Sequence, residues 1–146
     1  SVGDNVLPYL FAADRRDHLD REVLPALERN IHVISDRYYH SSLAYQALSV
    51  GLPIVAELNA PFRAPDLTFF LYLSPEVSFE RVQLRGLPVE RFETLDRLRS
   101  VADAYHTVLA YCRSKGERIL TIDATRSIEE IHQSIKDLTN FTQIIL

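Results

Sequence analysis

Val33-Ile34-Ser35-Asp36-Arg37-Tyr38-Tyr39-His40-Ser41-Ser42-Leu43-Ala44-Tyr45-Gln46 joins an apolar run to an acid, an arginine and a hydroxyl-rich helix start. The run predicts a short strand, Ile31–Ser35, and the residues beyond it a helix, Ser42–Val50, ended by Gly51. A strand passing straight into a helix is the repeating unit of an α/β fold, whose ligands bind at the carboxyl ends of the strands. At such an end Asp36 can hold a hydrated Mg2+, and Arg37 can clamp a phosphate through its planar fork. The dipeptide alone reads equally well as an ion pair capping a strand. Tyr45, with Ser41 and Ser42 one helical turn earlier on a neighbouring face, favours the ligand-site reading.

The rest of the chain extends the same alternation. Leu7–Arg29 reads helical, with Pro8 near its start and Pro25 imposing a break or kink. Leu67–Leu73 is apolar on both faces, which predicts a central parallel strand covered by helices. Ser74-Pro75-Glu76 supplies an N-cap, a proline at the first helical position and an acid in the first turn, so helix follows to about Arg85. Thr94–Lys115 reads as a long helix and Arg118–Asp123 as a further strand. Ser127 and Glu130 form a capping box for the last helix. The expected fold is α/β, a parallel sheet flanked by helices in a single domain over 1–146.

Composition narrows the function. The chain has 146 residues, 47% of them hydrophobic, enough to build a core. A net charge of −4 argues against a broad nucleic-acid-binding surface. Arginine outnumbers lysine, only Lys115 and Lys136 being present, and arginine is the better bidentate phosphate ligand. One cysteine, Cys112, excludes an internal disulfide and a cysteine metal site, and its apolar helical setting predicts a buried thiol. The five histidines lack metal-ligand spacing. No apolar run approaches the length a bilayer requires, so a cytoplasmic protein without membrane partners is expected.

The junction resembles that of thymidylate kinases, which reads D-R-Y, a short spacer, then S-S-x-A-Y-Q. Leu10-Phe11-Ala12-Ala13-Asp14-Arg15 is similar to the family's L-F-A-A-D-R helix, and Pro25-Ala26-Leu27 to its P-A-L. Glu57-Leu58-Asn59 and Pro65-Asp66-Leu67-Thr68 resemble its E-L-N and P-D-L-T. Pro75-Glu76-Val77, Glu80-Arg81, Arg85-Gly86, Ile122-Asp123-Ala124 and Ser127 to His132 continue the likeness in family order.

That resemblance implies a P-loop nucleoside monophosphate kinase-like fold and transfer of the γ-phosphoryl of ATP to dTMP with Mg2+, by a homodimer. It implies that Phe11 stacks on thymine, Arg15 donates to its O4 and Ser42, beside Ser41, meets the base's polar edge. Arg37 would bind the dTMP phosphate, and Asp36 would act on Mg2+ through water. Tyr45 would lie against the sugar and exclude a 2′-hydroxyl, and Tyr105 would close over the nucleotide. The segment 85–93 corresponds to a short mobile lid whose Arg85 and Arg91 would meet phosphates during transfer. Ala124, Thr125 and Arg126 fall where such kinases pack adenine. Arg16, on another face of the Phe11 helix, should be solvated.

A kinase of this type needs a G-x-x-x-x-G-K-[ST] loop to cradle ATP phosphates. None of Gly3, Gly51, Gly86 and Gly116 begins one. The expectation is therefore that the first strands and the phosphate loop are missing from this chain, which would be the carboxy-terminal three-quarters or so of the domain. The absent first strand would lie between Ile31–Ser35 and Leu67–Leu73. A phosphate-loop-less relative that binds nucleotide without catalysis is the alternative.

Overall fold

The computed structural model describes residues 3–86 and 94–139. The chain folds as two compact units. One comprises the residues up to Ala64 together with Asp103–Leu109, and the other Pro65–Ala102 with the chain from Ala110 onward.

The first unit opens with α1 (Leu7–His18), which runs through a π-helical turn (Leu19–Val23) into α2 (Leu24–Glu28). Pro25 has no N–H to donate and its ring crowds the carbonyl four residues back. The wider π turn sits where that clash would fall, and Val23 and Leu24 keep right-handed dihedrals, so the helix is locally widened rather than broken.

Residues 31–35 form no strand, contrary to the sequence expectation. A strand exists only with a ladder partner, and among the described residues none pairs with this segment. Its apolar side chains are accordingly open, Ile34 being 73% exposed.

The span expected as one helix, Ser42–Val50, is divided into α3 (Tyr39–Tyr45) and α4 (Ala47–Val50), starting earlier than expected. Gly51 ends α4 at φ +88°, a conformation that strains any side chain, and its N–H donates to the Ala47 carbonyl at 2.9 Å. A further helix, α5 (Leu52–Asn59), follows with Pro53 in its first turn. Its apolar start, Leu52 to Ala56, has no distinctive period and gave no helical signal. The helices α1, α3 and α4 all pack on α5. Ala12, Leu43, Ala44 and Val55 are buried there, a Leu or Val contributing about 1.5–3 kcal/mol when fully enclosed.

The second unit holds β1 (Thr68–Tyr72), α6 (Pro75–Leu84), most of α7 (Leu95–Ser114), β2 (Ile119–Asp123) and α8 (Ile128–Thr139). The strands are parallel, paired from Thr68 with Ile119 to Tyr72 with Asp123, as the α/β reading requires. β1 is not the enclosed central strand that its composition predicts. Its sheet has two strands among the described residues, and Leu71 is 51% exposed. A central strand needs a ladder on both edges, and among the described residues only the β2 edge has one.

Local signals held in this unit. The Ser74 hydroxyl accepts from Val77 N–H at 3.3 Å, with Pro75 in the first turn of α6. Ser127 and Glu130 satisfy each other's backbone N–H groups at 2.9 and 3.2 Å, the reciprocal capping box. Cys112 is buried, and burial foremost pushes its thiol up to about 12. No described helix is long and apolar enough to cross a membrane.

Candidate functional site

Eight of the residues singled out from the sequence lie in the first unit: Phe11, Arg15, Asp36, Arg37, Ser41, Ser42, Tyr45 and Tyr105. Phe11 and Arg15 are four apart on α1 and therefore share a face. Phe11 is 45% exposed, so it is not a core residue. Arg16 points to solvent and forms an ion pair with Asp20, the behaviour expected of it.

Arg15 is held by two side-chain hydrogen bonds and two neighbouring rings. Its Nη1 donates to Asn59 Oδ1 at 2.5 Å and its Nη2 to Ser42 Oγ at 2.9 Å. Its guanidinium carbon lies 5.5 Å from the ring centroid of Tyr38 and 5.6 Å from that of Phe62. Desolvation is the largest influence on Arg15 and lowers its pKa, while Tyr38 and Asp14 act in the opposite sense. Tyr38 is itself fixed, its hydroxyl donating to the Arg63 carbonyl at 3.1 Å, and burial raises its pKa. Ser42 thus joins Arg15 directly. Asn59, Tyr38 and Phe62 complete a cage to which the sequence assigned no role. Asn59 and Ser42 stand 44 and 27 residues from Arg15, beyond any periodicity.

A second cluster surrounds the junction. Arg37 has φ +65°, a left-handed conformation that costs a non-glycine residue about 1–3 kcal/mol and concentrates at functional sites. The Ser35 hydroxyl donates to the Arg37 carbonyl at 2.7 Å and braces this turn. The Arg37 guanidinium is exposed and lies 5.6 Å from the Tyr45 ring centroid. Tyr45 meets Tyr105 edge to face at 6.2 Å, and the Tyr105 hydroxyl lies 3.0 Å from Ser41 Oγ. Burial raises the Tyr105 pKa, with Ser41 opposing, so the phenol stays neutral. Asp36 is exposed, and among the described residues no hydrogen bond or ion pair engages it. A single open carboxylate fits Mg2+, a cation that keeps most of its water.

The remaining residues fall in the second unit or beyond it. Arg85 is the exposed C-cap of α6. Arg91 and 87–93 of the expected lid lie outside the described residues. Ala124 is buried and its N–H donates to the Tyr72 carbonyl at 2.9 Å, extending the sheet. Asp123 accepts from both the N–H and the hydroxyl of Thr125, bonds that lower its pKa. Arg126 is turned onto α8, donating to the Glu130 carbonyl and the Ser134 hydroxyl.

An exposed arginine on a left-handed turn, a caged arginine and an exposed aromatic thus occur together in the first unit. A family model for thymidylate kinase matches residues 2–135. The chain belongs to the thymidylate kinase family. It is 37% identical to a probable thymidylate kinase of Pyrobaculum aerophilum, over 94% of this chain and 69% of that protein. It is 41% identical to a thymidylate kinase of Leptospira interrogans, over 68% of this chain and 50% of the relative. A thymidylate kinase of Leptospira borgpetersenii is 36% identical over 93% of this chain and 66% of its own length. The chain spans between half and about two thirds of these curated relatives. Family membership carries with it the P-loop kinase class of fold, with which the parallel pair β1–β2 and its helices agree.

Proposed function

We propose that this chain supplies the dTMP site of a thymidylate kinase, an enzyme transferring the γ-phosphoryl of ATP to dTMP to give dTDP and ADP. The observation that carries the reading is the caged Arg15, with Phe11 four residues before it on the same helical face. A cation held in the plane of a base and an aromatic for its face grip one pyrimidine. Arg37 takes the dTMP phosphate and offsets its repulsion from ATP, in a mechanism dominated by positioning and electrostatics. Asp36 would hold, through water, a Mg2+ ion that when bound would supply charge neutralisation for the phosphates. Arg85, Arg91 and the Ala124–Arg126 segment serve the ATP side, in a cytoplasmic protein with no nucleic-acid partner. None of these 146 residues forms the G-x-x-x-x-G-K-[ST] loop that would cradle the ATP phosphates.

Tyr45 then sets the sugar preference. The Arg37 guanidinium lies against its ring, so a nucleotide leaving Arg37 passes the phenol with its sugar. A ribose hydroxyl there loses water without gaining a partner, at a cost of about 1–3 kcal/mol. Tyr45→Ala in the full gene product is expected to narrow the kcat/KM ratio between dTMP and its ribo-counterpart, chiefly by admitting the latter. An unchanged ratio, both rates falling together, would make Tyr45 a packing residue.

The protein is further proposed to be a homodimer. The apolar residues in the sequence that suit such an interface are Leu43, Ala44, Leu48 and those of the Phe11 helix. Of these, Leu43 and Ala44 are buried within the chain and cannot serve, whereas Leu48 and Phe11 are exposed. Val6, Tyr9, Leu10 and Ile54 are among the exposed apolar residues of the first unit, with Tyr9 and Ile54 sharing a groove with Glu57 and Leu58. Sedimentation of the full gene product at micromolar concentration is expected to show a dimer, and a monomer alone would contradict it.

A further inference from the structure

We propose that Asn59 is a positioning residue for the nucleotide base, holding the Arg15 guanidinium in the one plane from which it selects a pyrimidine bearing a carbonyl at C4. The inference rests on the dTMP reading of the site and adds a residue to it.

Asn59 closes α5 and is 6% exposed. Its amide has one workable orientation. Nδ2 donates to the Val55 carbonyl at 2.7 Å, an atom that can only accept. Oδ1 is thereby turned to Arg15 Nη1, a group that can only donate. The backbone of α5 therefore fixes the side chain of Asn59, and Asn59 fixes Arg15. Ser42 supplies the second edge contact, and the guanidinium carbon lies over the Tyr38 and Phe62 rings, 5.5 and 5.6 Å from their centroids. Two contacts on separate nitrogens and two rings leave the guanidinium no freedom to rotate about its own axis.

The arrangement has a chemical consequence. A guanidinium carries five N–H donors and no acceptor. Asn59 and Ser42 engage two, leaving three for a ligand, all in one plane. A base edge meeting them must offer an acceptor. Thymine and uracil present a carbonyl at C4, whereas cytosine presents an amino group, which would face a donor with a donor. Unsatisfied polar groups at a closed contact are the strongest source of discrimination between isosteric ligands. Without Asn59 the guanidinium can swing about Ser42 and present its donors elsewhere, so the preference should decay even though Arg15 remains.

The test is the ratio of kcat/KM for dTMP to that for dCMP in the full gene product, with thermal melting as the control for folding. Asn59→Leu fills the same volume without an acceptor. It is expected to lower the ratio about tenfold, one hydrogen bond's worth, through a higher KM for dTMP. Asn59→Ser, too short to reach Arg15, should do the same, and it decides the question if the leucine variant does not fold. Asn59→Asp keeps an acceptor for Arg15 and should retain the ratio. A ratio unchanged in the folded leucine or serine variant, or equally collapsed in Asn59→Asp, would overturn the proposal. A wild-type protein with no preference for dTMP over dCMP would instead refute the thymidylate reading beneath it.

Discussion

The 146-residue chain, purified by itself, is expected to transfer no phosphoryl group from ATP to dTMP above background. Phosphoryl transfer depends on a cradle of backbone N–H groups and a lysine around the ATP phosphates. Of the four glycines, Gly51, Gly86 and Gly116 each follow the end of a helix, α4, α6 and α7. Lys115 caps the carboxyl end of α7 and Lys136 lies within α8, so neither sits at the start of a helix where phosphates bind. The same polypeptide should melt readily and bind hydrophobic dyes, because the Ile31–Ile34 run and the far end of β1 are open. The assay is ADP release with dTMP present, beside a melt of the same sample. Robust turnover by this chain would contradict the account of what holds ATP.

Arg37→Ala is expected to weaken dTMP binding to the full gene product by about 2–5 kcal/mol, the range for removing one partner of a charge pair closed off from water. The lower end is the better expectation, since Arg37 is exposed before a nucleotide arrives and solvent screening reduces its worth. Its left-handed backbone, braced by Ser35, aims the side chain over Tyr45, so replacement removes a cation already in place. Thymidine has no phosphate and should bind almost as before. Calorimetric titration of both ligands separates the outcomes. Equal losses for dTMP and thymidine would remove Arg37 from the phosphate site.

What the sequence disclosed and what it withheld divide along the range of the interactions. The caps at Ser74 and Ser127 are settled within one helical turn, so three or four residues suffice to read them. The shared face of Phe11 and Arg15, and the solvated Arg16, follow from helical geometry alone. Ile31–Ser35 fails as a strand because pairing is not a property of the segment, and no partner for it exists among the described residues. Of the break or kink expected at Pro25, the break does not occur, because a helix can widen into a π turn where its hydrogen bonds are obstructed. The cage around Arg15 was illegible for a related reason. Asn59 stood inside the E-L-N stretch, but only the packing of α1 on α5 brings Arg15 to it.

The central claim is that dTMP is the phosphoryl acceptor, and it is tested most directly by presenting the full gene product with ATP, Mg2+ and a panel of nucleoside monophosphates. The predicted result is phosphorylation of dTMP with the highest kcat/KM, weaker use of dUMP, which lacks only a methyl group, and little use of dCMP or purine nucleotides. Comparable rates across the panel, a purine acceptor, or nucleotide binding without any transfer would contradict it.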